Sequence, residues 1–153
     1  MFFIALFILS WAAWLLFADK QRWREIFPVS IFAAFLGCLT DTFMHYYPLW
    51  EYPSEMPLLQ HIMDDSGVYL VVTYLFIQLL PKKRTLLVML VYWIIWTGFS
   101  IGLEWVHLIT NHMKHHMWWN LWYSYASDWL LFWLFYQYYR VFQFSRLNRD
   151  YDS

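Results

Sequence analysis

Apolar residues run along this chain in five long segments separated by short polar loops. The segments cover about residues 2–18, 28–47, 61–80, 85–110 and 119–140. Each is close to the roughly 20 residues that a helix needs to cross about 30 Å of hydrocarbon. They are continuously apolar and lack the alternation of strands in a membrane barrel. The pattern predicts an all-α fold, a single domain built as a bundle of five transmembrane helices.

The composition agrees with a membrane location. The chain is 61% hydrophobic and only 14% charged, against about 25% charged residues in soluble domains. Its first expected partner is therefore the lipid bilayer. The 10 basic residues are balanced by 11 acidic ones and form no basic patch, so we expect no nucleic acid partner. Glycine-rich phosphate loops and dinucleotide fingerprints do not occur in the sequence, so no nucleotide cofactor is expected.

The basic residues indicate how the five segments are oriented. Nine of the ten follow the first, third and fifth segments, and only Lys114 follows another. The nine are Lys20, Arg22, Arg24, Lys82, Lys83, Arg84, Arg140, Arg146 and Arg149. Because cytoplasmic loops carry the excess of Lys and Arg, the N-terminus is predicted outside and the C-terminus in the cytoplasm. The first segment has no basic residue before it, so we interpret it as a retained span rather than a cleaved signal.

Acidic and imidazole side chains lie in the predicted outer half of the bundle. Counted at about 1.5 Å per residue from the cytoplasmic ends, they fall in two neighbouring layers. They are Asp41, His45, Asp65, Glu104, His107 and Asp128. A carboxylate that faces lipid at this depth costs about 2.5–3.5 kcal/mol, so these groups should point inward. We expect a polar pocket beneath the proline-containing loop 47–60.

Two spacings within this set suit a metal ion. Glu104 precedes His107 by three residues and Asp41 precedes His45 by four, so each pair shares one helix face. Imidazole and carboxylate together suit zinc, iron or manganese. The predicted metal ligands are Asp41, His45, Glu104 and His107. Asp65 or Asp128 is then the predicted catalytic base toward a metal-bound water.

Three functions fit this prediction. The first is a metal-dependent membrane hydrolase that acts on a lipid or lipid-linked substrate from the outer leaflet. The alternative is a non-catalytic membrane subunit, sensor or assembly factor with a structural polar cluster. The third is a small proton- or ion-coupled transporter in which Asp41 and Asp128 share a proton. Gly98 and Gly102 indicate a helix-packing face, and a homo-oligomer or a partner membrane protein is expected.

Short aromatic motifs give the chain a family resemblance. Pro48-Leu49-Trp50-Glu51-Tyr52 and Trp119-Asn120-Leu121-Trp122, the latter preceding Asp128, stand out among them. With these motifs the chain resembles a family of small multi-pass membrane proteins of spore-forming Gram-positive bacteria. The resemblance implies a bacterial plasma membrane location and no particular mechanism.

Overall fold

The computed structural model describes residues 2–53 and 57–147, and in them the chain is helical apart from two short strands. The six α-helices are α1 (Phe2–Phe17), α2 (Trp23–Tyr46), α3 (Pro57–Asp64), α4 (Leu70–Gln78), α5 (Leu86–Ile109) and α6 (Leu121–Val141). A π-helical segment, Asp65–Tyr69, joins α3 and α4 end to end. The predicted all-α fold is confirmed. Arg149, counted above among the cytoplasmic basic residues, lies outside the described residues.

The helix ends follow local chemistry. The side chain of Asn120 accepts a hydrogen bond from the Trp122 N–H at 2.9 Å and so begins α6. Asp19 does the same for Gln21 at 3.0 Å, and the 3-10 turn that it starts runs directly into α2. As a result α2 begins at Trp23 rather than at Pro28, which lies inside the helix near its start.

A buried polar network joins four helices at the end of the bundle that we call the basic end. Glu25, 5% exposed, accepts hydrogen bonds from the Arg22 guanidinium at 2.8 and 3.0 Å and from the Tyr139 hydroxyl. Arg22 also donates to the Gln78 carbonyl at 3.1 Å. The Gln78 amide in turn donates to the carbonyl of Phe17 at 2.9 Å. These contacts tie α1, α2, α4 and α6 together where the basic loops lie.

Next to this network the core is mainly aromatic. Phe76 of α4 stacks on Tyr92 of α5, with ring centroids 5.3 Å apart, and lies 4.7 Å from Phe132 of α6. Ile26 and Val29 fill the α2 side and are fully buried. The core therefore begins beside the basic end and lies between that end and the site described below.

Two helical stretches in the described part of the chain have the length and composition of membrane spans, Lys20–Tyr46 and Leu86–Ile109. The core helix of a soluble protein can meet the same criteria, but such a helix is mostly buried. In the most apolar part of α5 only 11% of the residues are buried. Helix α5 therefore presents apolar side chains outward along most of its length.

Candidate functional site

A cavity of about 370 Å³ lies at the end of the bundle opposite the basic end. Five carboxylate side chains line it, contributed by α2, the α3–π–α4 rod, α5 and α6, and we call it the acidic cavity. They are Asp41, Asp64, Asp65, Glu104 and Asp128. Its walls are formed by the second half of α2, the second half of α5 and the first half of α6. Helices α5 and α6 are therefore antiparallel where they meet at the cavity.

The π-helical segment brings two neighbouring acids to this cavity. Consecutive residues of an α-helix point about 100° apart, yet Asp64 and Asp65 both line the cavity. The room for Asp65 comes from Gly37 of α2, since a Cβ at Gly37 would lie 2.1 Å from the Asp65 Oδ1 atom. Gly67 likewise makes room for Phe7 of α1, whose ring would lie 2.7 Å from a Cβ at that position. Two glycine contacts thus fix the segment, and π-helical turns are frequent at functional sites.

Two of the five carboxylates are held by histidines. The Nδ1 atom of His61 lies 2.5 Å from Asp41 Oδ2, and Nε2 of His115 lies 2.7 Å from Glu104 Oε1. The Ser124 hydroxyl donates a further hydrogen bond to Glu104 at 2.6 Å. Each of these acids is therefore oriented by a group from another part of the chain.

A short two-stranded sheet covers the cavity. Strand β1 (Trp50–Glu51) pairs antiparallel with β2 (Lys114–His115), and the N–H of His116 donates to the Leu49 carbonyl at 2.8 Å. Trp50 and Tyr52 line the cavity from this side. Burial, together with the nearby charges of Asp64 and Asp41, raises the pKa of Tyr52 well above its ordinary value, so its hydroxyl stays protonated.

Two buried polar side chains in the cavity wall each have one atom without a hydrogen-bond partner among the described residues. Asp65 is 3% exposed and its Oδ2 atom is unpartnered. His107 is 7% exposed, and its Nδ1 atom lies 2.8 Å from the Leu103 carbonyl. Because a carbonyl only accepts, Nδ1 carries a proton, and in the tautomer protonated only there the unpartnered Nε2 is an acceptor.

The structure brings five of the six predicted site residues to this one cavity. Asp41, Asp65, Glu104, His107 and Asp128 line it. His45 does not: it is exposed, with its ring against Tyr46 at 5.4 Å. Asp41 contacts His61 instead, and Glu104 contacts His115 rather than His107.

Within residues 2–53 and 57–147, no three of His, Cys, Asp and Glu are grouped so that they could hold one metal ion. The predicted zinc, iron or manganese site with Asp41, His45, Glu104 and His107 as ligands stays a prediction. So do the catalytic roles predicted for Asp65 and Asp128.

Sequence reasoning gave no site role to Asp64, His61 or His115. Asp64 directly precedes Asp65, and the pair of adjacent acids was the available signal. His61 is 20 residues from Asp41 and His115 is 11 from Glu104, so no helical spacing links either pair. Only the tertiary fold brings those histidines to their acids, His61 from α3 and His115 from β2.

Comparisons with known protein families, with curated proteins and with solved structures find no match for this chain. The resemblance to small membrane proteins of spore-forming bacteria stays a prediction, and function has to be inferred from the cavity itself.

Proposed function

We propose that this chain is a multi-pass protein of the bacterial plasma membrane, with its N-terminus outside. Its acidic cavity binds a polar group carried by a lipid or a lipid-linked molecule of the outer leaflet. The predicted hydrolase activity, the non-catalytic subunit and the transporter stay predictions beside this proposal.

Helix lengths and surface composition support a five-span arrangement. At about 1.5 Å per residue, the 21 residues of α6 extend about 32 Å and the 24 of α5 about 36 Å. The 16 residues of α1 extend about 24 Å, which falls short of about 30 Å of hydrocarbon, and local thinning of the bilayer around an untilted helix accommodates the difference. Large apolar side chains are exposed on α1, α2, α5 and α6, among them Leu16, Phe35, Ile95 and Leu130. Lipid is the solvent that such a surface requires.

The observation that carries the binding proposal is the pair of unpartnered acceptors in the wall of the acidic cavity. Buried polar atoms are nearly always hydrogen-bonded, and leaving one without a partner costs about 1–3 kcal/mol. Asp65 and His107 both carry such an atom. A ligand that donates hydrogen bonds to both would recover that free energy, and apolar neighbours such as Leu36 and Leu131 would contact its hydrocarbon part.

Filling the cavity tests this proposal. Ser127 lines the cavity, so Ser127→Phe should occupy the ligand's space. Its neighbour Ala126 is exposed on the outside of the same helix, and Ala126→Phe is the matched control. Native mass spectrometry of protein purified in mild detergent from bacterial membranes counts the lipids that remain bound.

We expect one tightly retained lipid or lipid-linked molecule on the wild type and on Ala126→Phe, and none on Ser127→Phe. Equal retention by all three proteins would contradict a role for the cavity in binding. Circular dichroism of each variant verifies that its helix content matches the wild type.

A further inference from the structure

We infer that the group bound in the acidic cavity is a cation, an alkylammonium group attached to an apolar chain. This inference rests on the proposed function and names the chemistry of its ligand. An amine-bearing lipid headgroup and a free alkylamine present the same chemistry.

The first support is the charge of the cavity wall. Asp41 and Glu104 are each paired with a histidine. Asp64, Asp65 and Asp128 make no ion pair with a cationic side chain in the described part of the chain. Lysine and arginine are both absent from the cavity lining among the same residues. A buried carboxyl group either takes a cationic partner or stays protonated, so a bound cation would stabilise these three in their ionised form, whereas a phosphate or carboxylate would not.

The second support begins with His107, a group other than these carboxylates. His107 is more than nine-tenths buried, lines the cavity and has an unpartnered Nε2, which is the ring's acceptor in the tautomer that donates Nδ1–H to Leu103. The unpartnered atom of Asp65 is also an acceptor. An ammonium group has three donors and no acceptor, so it complements both atoms.

The third support is the aromatic lining. Four aromatic side chains contribute to the walls: Trp50, Tyr52, Tyr69 and Trp119. Aromatic faces attract cations, and proteins recognise quaternary ammonium groups with cages of such residues. The apolar side chains Leu36, Val68, Leu103 and Leu131 lie in the same cavity. They suit the hydrocarbon chain that carries the ammonium group.

Three octyl compounds separate charge from apolar contact. The full-length protein in a non-ionic detergent is titrated calorimetrically at pH 7 with n-octylamine, 1-octanol and octanoate, which carry positive, zero and negative charge. Because a charge-assisted hydrogen bond is about twice as strong as a neutral one, octylammonium should bind at least about 10-fold more tightly than octanol. Octanoate should show no binding.

Charge-neutral variants on two different elements locate the effect. Asp65→Asn and Asp128→Asn should each weaken octylammonium binding about 10-fold, as loss of one charge-assisted contact does, and change octanol binding by less than about 2-fold. Glu51→Gln is the matched control, since Glu51 is exposed at the same end of the molecule and does not line the cavity. A lipid source is recognised when phosphatidylethanolamine, but not phosphatidylglycerol, displaces octylammonium. Displacement by neither lipid indicates a free amine.

The outcomes distinguish failure of the cationic ligand from failure of the proposed binding function of the cavity. Octanol binding as tight as octylammonium, abolished by Ser127→Phe, would overturn the cationic ligand while leaving a binding cavity. An equal loss of octylammonium affinity in Glu51→Gln and Asp65→Asn would overturn the cationic ligand as well, because the affinity would then depend on the overall charge of the protein. Absence of binding by all three compounds, with lipid retention unchanged in Ser127→Phe, would overturn both.

Discussion

At the scale of single residues, the acidic cavity depends on one missing side chain. Gly37 faces Asp65 so closely that the shortest side chain would overlap the carboxylate. The glycine is therefore required by the position of an acid on another helix, and not by the conformation of α2.

Gly37→Ala should lower the free energy of unfolding by about 1–3 kcal/mol, the usual cost of overpacking a tight contact. Gly98→Ala is the control, because nothing lies within 4 Å of a Cβ built there, and it should be neutral or slightly stabilising. Thermal unfolding in detergent measures both. An equal decrease in the unfolding temperature of both variants would contradict this prediction, because the effect would then not depend on the contact between Gly37 and Asp65. Combining Gly37→Ala with Asp65→Ala should recover most of the lost free energy of unfolding, because the overlapping carboxylate is then absent.

The same scale shows which site residues the sequence could reveal. Asp41, Glu104 and Asp128 were found because an acid within an apolar helix is costly unless it faces inward, and that cost depends only on depth along the helix. His45 shares a helix face with Asp41 in the sequence, but it is exposed at the end of α2 while His61 reaches Asp41 from another helix. Helical spacing identifies residues that could meet on one helix, whereas the partner here comes from a different element.

At the scale of elements, the segment boundaries were largely predictable and the connections were not. Residues 85–110 and 119–140 were expected as spans, and the helices found are Leu86–Ile109 and Leu121–Val141. Apolar length determines these limits. The π-helical segment was not foreseen, since it results from tertiary contacts of Gly67 and Asp65 and has no periodic signature. The pairing of β1 with β2 brings together strands more than 60 residues apart.

Strands β1 and β2 should behave as a cover over the acidic cavity. Glu51 and Lys114 are directly opposite each other and exposed, and opposite residues of antiparallel strands are about 4.5–5.5 Å apart at Cα, within disulfide range. Glu51→Cys with Lys114→Cys, in a Cys38→Ala background, should form a disulfide under mild oxidation.

Closing this disulfide should slow the exchange of bound octylammonium or lipid, and reduction should restore the rate. Exchange is followed by displacement of a spin-labelled ligand, with the Glu51→Cys single variant as control. Identical rates for the oxidised and reduced proteins would show that ligands enter by a route that does not pass the two strands.

At the scale of the whole molecule, the distribution of basic residues predicts the orientation of the chain in the membrane. Lys83 lies in the loop between α4 and α5, near the basic end, and Lys114 lies in β2 over the acidic cavity. The positive-inside rule predicts that the first lies in the cytoplasm and the second outside.

Single cysteines test this orientation. With the native Cys38 replaced by Ala, Lys114→Cys should react with a membrane-impermeant maleimide on intact bacteria, and Lys83→Cys should react only after the cells are permeabilised. The reverse pattern would place the acidic cavity on the cytoplasmic side and remove the outer leaflet as the source of its ligand.

The buried network around Glu25 has a mechanical consequence. It fastens α1, α2, α4 and α6 at one end, and two of these helices, α2 and α6, also reach the wall of the acidic cavity at the other end. Displacement of a rigid rod grows with distance from its fixed point. Since α2 has 24 residues and is about 36 Å long, a tilt of about 5° about Glu25 would move its far end by about 3 Å. We therefore expect a small pivot of α2 about Glu25 to be enough to widen the acidic cavity while the hydrogen bonds of Glu25 remain intact.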